Sequence, residues 1–73
     1  MDEQLKAHVA AVRVHARKHY NEEGWDYVVE SFDDAEIANE IAFSPTPEAA
    51  IKRMRKLVRL LNERREDIQG EAW

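Results

Sequence analysis

The sequence predicts an all-α fold, a small single domain over residues 1–73 with three to four helices and a long C-terminal helix. Two segments, Glu3 to Tyr20 and Pro47 to Ile68, carry apolar residues at helical spacing. Only residues 25–32 have the composition of a strand, and a lone strand has no partner within the chain. With 44% hydrophobic residues, two glycines and no cysteine, stability is expected to come from helix packing.

The first predicted helix runs from Glu3 to Tyr20. Asp2 precedes it as a candidate N-cap, and basic residues are concentrated late in it, where they favour the negative end of the helix dipole. Asn21 and Gly24 follow as residues that end helices. The apolar stripe of this helix comprises Leu5, Val9, Val12, Ala16 and Tyr20.

The segment from Trp25 to Phe32 has mixed signals. Tyr27, Val28 and Val29 favour a strand. The residues at helical spacing are Trp25, Val28, Val29 and Phe32. A strand here would have to pair across a homodimer. We therefore predict a short helix or helical turn.

A third helix is predicted over Ala35 to Phe43, with Ser31, Asp33 and Asp34 as candidate N-caps. Its expected apolar face comprises Ile37, Ala38, Ile41 and Ala42.

The long helix is predicted to begin at Pro47, with Thr46 as its N-cap, and to extend to Ile68 with Gly70 as the stop signal. Trp73, at the end of the chain, is expected either to cover the core or to form an exposed contact. The stripe of this helix comprises Ala50, Ile51, Met54, Leu57, Val58 and Leu61.

Composition excludes several classes of protein. The longest uncharged stretch, Ile41 to Pro47, is far shorter than the roughly 20 residues that span a bilayer. The chain opens with Asp2 and Glu3 rather than a basic export signal, so a cytoplasmic protein is expected. A net charge of −4 argues against general phosphate neutralisation on nucleic acid.

The charge is strongly sorted along the chain. Nine carboxylates and no Lys or Arg lie between Asn21 and Ile51, and Lys52 to Arg65 then holds seven of the eleven basic residues. This pattern predicts two surfaces of opposite sign, and the acidic one is expected to dock on a basic protein surface. Trp25 is expected either in the core or as an anchor of that contact. The candidate partner-binding residues are Trp25, Glu30, Asp33, Asp34 and Glu36.

No residue pattern indicates catalysis, a cofactor or a metal, so the chain is not expected to be an enzyme. His8, His15 and His19 fall within about 40° on a helical wheel. His8 would nevertheless lie about 10 Å from His15 along the axis, too far for one tetrahedral site. The imidazoles are expected to border the apolar stripe, where a pH-sensitive contact is the functional alternative.

A second hypothesis is nucleic-acid binding. Glu36 to Ala38, Ile41 and Phe43 to Pro45 resemble the first helix and turn of a helix-turn-helix, with Ala50 to Arg53 in the place of the recognition helix. The joint is longer than usual and carries Pro45 and Pro47. The candidate nucleic-acid-binding residues are Lys52, Arg53, Arg55 and Arg59. A homodimer or partner-dependent interaction protein is the third hypothesis.

Three segments carry a resemblance over the whole chain: His19-Tyr20, Gly24 to Glu30 and Glu63-Arg64-Arg65. In these segments the sequence resembles small, often phage-encoded proteins. In size and charge pattern it is similar to phage regulators that bind bacterial RNA polymerase and inhibit transcription. The resemblance implies a protein partner in the host bacterial cytoplasm, namely RNA polymerase. It assigns no individual binding residue.

Overall fold

The computed structural model describes the backbone of residues 2–71 and the side chains of residues 2–65, and Trp73 lies outside these residues. All regular structure in this range is helical, which confirms the predicted fold class. Helix α4 packs along α1, and the two short helices each contact both of them. None of the described helices is long and apolar enough to cross a membrane. The four helices are α1 (Glu3–Lys18), α2 (Trp25–Glu30), α3 (Asp34–Ile41) and α4 (Pro47–Glu71).

Helix α1 begins as predicted, because the side chain of Asp2 accepts a hydrogen bond from the Leu5 backbone N–H at 2.7 Å. It ends two residues earlier than predicted. His19 is the C-cap, and its N–H donates to the His15 carbonyl at 3.0 Å. Tyr20 therefore lies beyond the helix and is half-buried, although its spacing continues the stripe.

A tight turn connects α1 to α2. Glu23 and Gly24 have φ angles of 47° and 86°, both in the left-handed region. Gly24 was expected to end the first helix, and instead it is the N-cap of α2. A Cβ atom on Gly24 would lie 2.7 Å from the backbone carbonyl oxygen of Val58, so this position brings the turn directly against α4.

Residues 25–30 form a six-residue helix rather than a strand. Trp25 and Val28, three residues apart, are both buried, whereas Val29 and Phe32 are half-buried at the edge of the core. The N–H groups of Ser31 and Phe32 both donate to the Tyr27 carbonyl, which ends the helix. Burial on one helical face outweighs the strand preference of the two valines.

Helix α3 has a reciprocal cap. The Asp33 side chain accepts from the Glu36 N–H at 2.8 Å, and the Glu36 side chain accepts from the Asp33 N–H at 3.2 Å. Asp33 is thus the N-cap among the three predicted candidates. The helix ends at Ile41, two residues before the predicted end, and Ala42 is exposed rather than part of the apolar face.

Helix α4 starts as predicted, with Thr46 Oγ1 accepting from the Ala49 N–H at 3.1 Å and Pro47 as its first residue. The expected stop at Gly70 is wrong, because the helix continues to Glu71. A helical glycine costs only about 1 kcal/mol relative to alanine, so it need not end a helix. Ala50, Met54 and Val58 of the predicted stripe are buried, and Ile51, Leu57 and Leu61 are half-buried.

All four helices contribute to one core. The largest fully buried side chains are Trp25, Ile37, Ile41, Met54, Val12, Val28 and Val58.

Candidate protein-binding surface

The acidic middle of the chain and the basic residues of α1 and α4 meet in the folded protein. Four of the nine carboxylates between residues 21 and 51 form ion pairs with arginines of these two helices. The prediction of two separate surfaces of opposite sign is therefore wrong for these four carboxylates. Their ion pairs connect the middle segment of the chain to α1 and α4. The pairs are Arg13–Asp34 at 2.8 Å, Arg53–Glu40 at 3.1 Å, Arg59–Glu23 at 3.0 Å and Arg65–Asp26 at 3.0 Å.

Two of these pairs fix the turn and α2 against α4. Arg59 binds Glu23 through both oxygens, at 3.0 and 3.2 Å, and this pairing lowers the pKa of the Glu23 carboxyl. Arg65 donates to Asp26 and to the Tyr27 hydroxyl, and its guanidinium carbon lies 4.4 Å from the centre of the Tyr27 ring. The hydrogen bonds raise the pKa of Arg65, so both arginines stay charged.

Arg13 of α1 holds the connection between α2 and α3. Its guanidinium donates to the carbonyl oxygens of Val28 and Phe32, at 2.7 and 2.8 Å, and to Asp34 at 2.8 Å. Three donors in one planar group thus satisfy two carbonyls at the end of a short helix and one carboxylate. The start of α3 is held in one position relative to α1.

Of the five predicted partner-binding residues, Trp25 is not available for a contact. Its side chain is only 2% exposed and packs edge-on against His15, with ring centres 4.8 Å apart. Trp25 is buried because α2 presents Trp25 and Val28 on the same side, and that side faces α1 and α4.

The other four predicted residues are exposed and lie close in sequence at the end of α2 and the start of α3. Glu30 accepts a hydrogen bond from the Tyr20 hydroxyl. Within the described residues, Asp34 is the one member that pairs with a Lys or Arg side chain. We call this set, Glu30, Asp33, Asp34 and Glu36, the acidic patch.

The predicted nucleic-acid-binding residues do not form a free basic face. Arg53 and Arg59 are paired with Glu40 and Glu23, and Arg55 is half-buried, whereas Lys52 is exposed. The connection between α3 and α4 comprises residues 42–46, which is longer than the usual helix-turn-helix joint of three to four residues.

The three histidines take part in packing. His8 is buried, and the rings of His15 and His19 are stacked with centres 4.3 Å apart. Burial, followed by the nearby charges of His19 and Arg55, lowers the pKa of His15, whose Nε2 is buried without a hydrogen-bond partner. His19 Nδ1 lies 2.5 Å from a Glu22 oxygen. Among the described residues, no group of three or more His, Asp or Glu side chains is arranged to hold a metal ion.

Sequence reasoning missed Phe43 as a surface residue. Its side chain is 98% exposed, more than any other large hydrophobic residue in the described part of the chain. Two shallow grooves share it, one lined by Asn39, Glu40 and Arg53 and the other by residues near the N-terminus of α1. A helical wheel contains the missing signal, because Phe43 lies two positions, about 200°, from the buried Ile41.

Comparison with protein-family models, with curated proteins and with solved structures finds no match to this chain.

Proposed function

We propose that this chain is a small regulatory protein-binding module that binds bacterial RNA polymerase and inhibits or modulates transcription, without catalysis or a cofactor of its own. The acidic patch is its proposed contact surface, and the bacterial cytoplasm its place of action. The observation that carries the proposal is the exposure of all four carboxylates of the patch within seven residues.

Electrostatics supports this use of the patch. Among the described residues, one of its four carboxylates, that of Asp34, is ion-paired with an arginine, Arg13, so the patch keeps a net negative charge. Exposed charge of one sign accelerates association with an oppositely charged surface and selects among partners, while contributing little to folding stability. The hydrogen bonds of Arg13 hold the start of α3 in position, so little order has to be gained on binding.

The resemblance to phage regulators supports the choice of partner. The segments that carry it contact one another: Tyr20 binds Glu30, and Arg65 binds Asp26 and Tyr27. These residues serve packing in this chain, so the resemblance bears on the class of partner and not on the position of the contact.

The test removes the negative charge of the patch while keeping its hydrogen bonds. Asparagine is as good an N-cap as aspartate, and glutamine can complete a capping box, so amide replacements preserve the local structure. The variant carries Glu30→Gln, Asp33→Asn, Asp34→Asn and Glu36→Gln. Glu48→Gln is the matched control, because Glu48 is an exposed carboxylate outside the patch.

Binding to purified bacterial RNA polymerase is measured by biolayer interferometry at about 0.15 M salt, together with run-off transcription. The amide variant should bind at least about tenfold more weakly and lose inhibition, with the control close to wild type. Equal binding by the variant would exclude the patch as the contact.

A titration with duplex DNA tests the second hypothesis, which is nucleic-acid binding. If wild-type protein does not bind polymerase but binds duplex DNA with an affinity that falls steeply as salt rises, the helix-turn-helix interpretation replaces the proposal. Lys52→Gln should then lower the salt slope by about one.

A further inference from the structure

Phe43 is placed in a way that packing within this chain does not explain. Its aromatic ring is 98% exposed in the connection between α3 and α4, while the neighbouring Ile41 is fully buried. A phenylalanine exposed to this degree contributes almost no burial to folding, whereas aromatic residues in interfaces are frequent binding anchors.

The side chains near Phe43 are charged and polar. Glu36 and Asn39, seven and four residues before it, are exposed on α3, whereas Glu40, three residues before it, is half-buried. Asn39, Glu40 and Arg53 line one groove together with Phe43, and Arg53 is ion-paired with Glu40. An exposed aromatic ring therefore follows a helix that carries the exposed carboxylate of Glu36.

The backbone around Phe43 is held in place. The Ser44 N–H donates to the Ile41 carbonyl at 2.9 Å, and Thr46 caps α4. Pro45 restricts the backbone between these two contacts. Because the connection is already ordered, little conformational entropy is lost when its side chain enters a partner.

We propose that Phe43 is the anchor of the protein contact, inserting into an apolar pocket on the partner that is bordered by basic side chains. Glu36, an exposed carboxylate of the acidic patch, faces that basic border. The inference rests on the proposed function, since the pocket is assigned to the same polymerase. Docking of a second copy of this chain is a separate outcome of the experiment.

The experiment compares Phe43→Ala with Leu60→Ala, both measured for binding to purified bacterial RNA polymerase. Leu60 is 58% exposed in α4 and serves as the control for loss of an exposed apolar side chain. Phe43→Ala should leave the unfolding midpoint unchanged and weaken binding by about 10- to 100-fold, as expected for loss of a buried aromatic anchor. Phe43→Trp should retain most of the affinity, and Leu60→Ala should bind as wild type.

Each remaining outcome overturns the inference in a distinguishable way. If wild type binds polymerase and Phe43→Ala binds equally well, the anchor is wrong and the proposed function stands. If wild type does not bind polymerase, the proposed function fails and the anchor fails with it. If sedimentation velocity shows a wild-type dimer that Phe43→Ala dissociates, Phe43 contacts a second copy of the chain instead.

Discussion

Replacing Gly24 by alanine should destabilise the protein severely although it adds a single methyl group. Gly24 has a φ angle of 86°, and a Cβ atom there would lie 2.7 Å from the Val58 carbonyl oxygen. The Val58 oxygen belongs to the backbone of α4, so it cannot rotate away as a side chain would. The turn before α2 would have to move away from α4.

The magnitude follows from two contributions. A residue other than glycine in the left-handed region costs about 1–2 kcal/mol. Relief of the clash separates Gly24 from α4 and loosens the packing of the adjacent Trp25, which is expected to add about 1–2 kcal/mol. The total of about 2–4 kcal/mol is a large part of the roughly 4–11 kcal/mol expected for a chain of 73 residues.

Urea and thermal unfolding followed by far-UV circular dichroism measure this loss. The melting temperature should fall by about 8–32 °C, at about 4–8 °C per kcal/mol. Gly70→Ala is the matched control, because the same substitution within helix α4 should leave stability unchanged or raise it by up to about 1 kcal/mol. If Gly24→Ala unfolds within about 0.5 kcal/mol of wild type, the close approach of this turn to α4 is wrong.

Three further predictions concern the contacts that hold the short helices and the histidine pair. Arg13→Lys keeps the charge but loses the planar group that reaches two carbonyls, so urea unfolding should show a loss of about 1–3 kcal/mol. Asp33→Ala should cost about 1 kcal/mol through loss of the α3 cap, with Ser31→Ala close to wild type. The lowered pKa of His15 means that the folded state binds fewer protons than the unfolded state. Stability should therefore fall as pH drops through about 6.5, and His15→Gln should reduce this fall in urea titrations at a series of pH values.

For each of these three predictions, one result of the unfolding measurements would contradict the reasoning. An Arg13→Lys variant with the wild-type urea midpoint would mean that the carbonyl contacts add nothing to stability. Equal losses in the Asp33 and Ser31 variants would remove the reason for assigning the cap to Asp33. A urea midpoint that stays constant or rises between about pH 7.5 and pH 5.5 would contradict the lowered pKa of His15.

The helices and their starts were predictable because they depend on residues close in sequence. Asp2, Asp33 and Thr46 each accept a hydrogen bond from an N–H three residues later. The helix ends were less predictable. Gly24 was interpreted as ending α1, but it starts α2, since the left-handed turn is set by contact with Val58 as well as by local preference.

The candidate contact surface was predicted only in part. Glu30, Asp33, Asp34 and Glu36 are exposed, as polar residues generally are, but Trp25 is buried and Phe43 is exposed. The burial of Trp25 depends on which side of α2 faces the rest of the protein, and Phe43 lies in the connection after α3. A six-residue helix has too few apolar positions for its periodicity to settle this orientation.

The sequence by itself determined the helical class, the caps and the sorting of charge along the chain. Only the tertiary structure decided which of these charges pair: Arg13, Arg59 and Arg65 bind carboxylates 21, 36 and 39 positions away. Hydrophobic periodicity and capping arise from interactions within a few residues, so they can be recognised in the sequence. The choice of which carboxylate faces which arginine arises when packing of the buried side chains brings distant helices together, and that choice leaves the acidic patch and Phe43 at the surface.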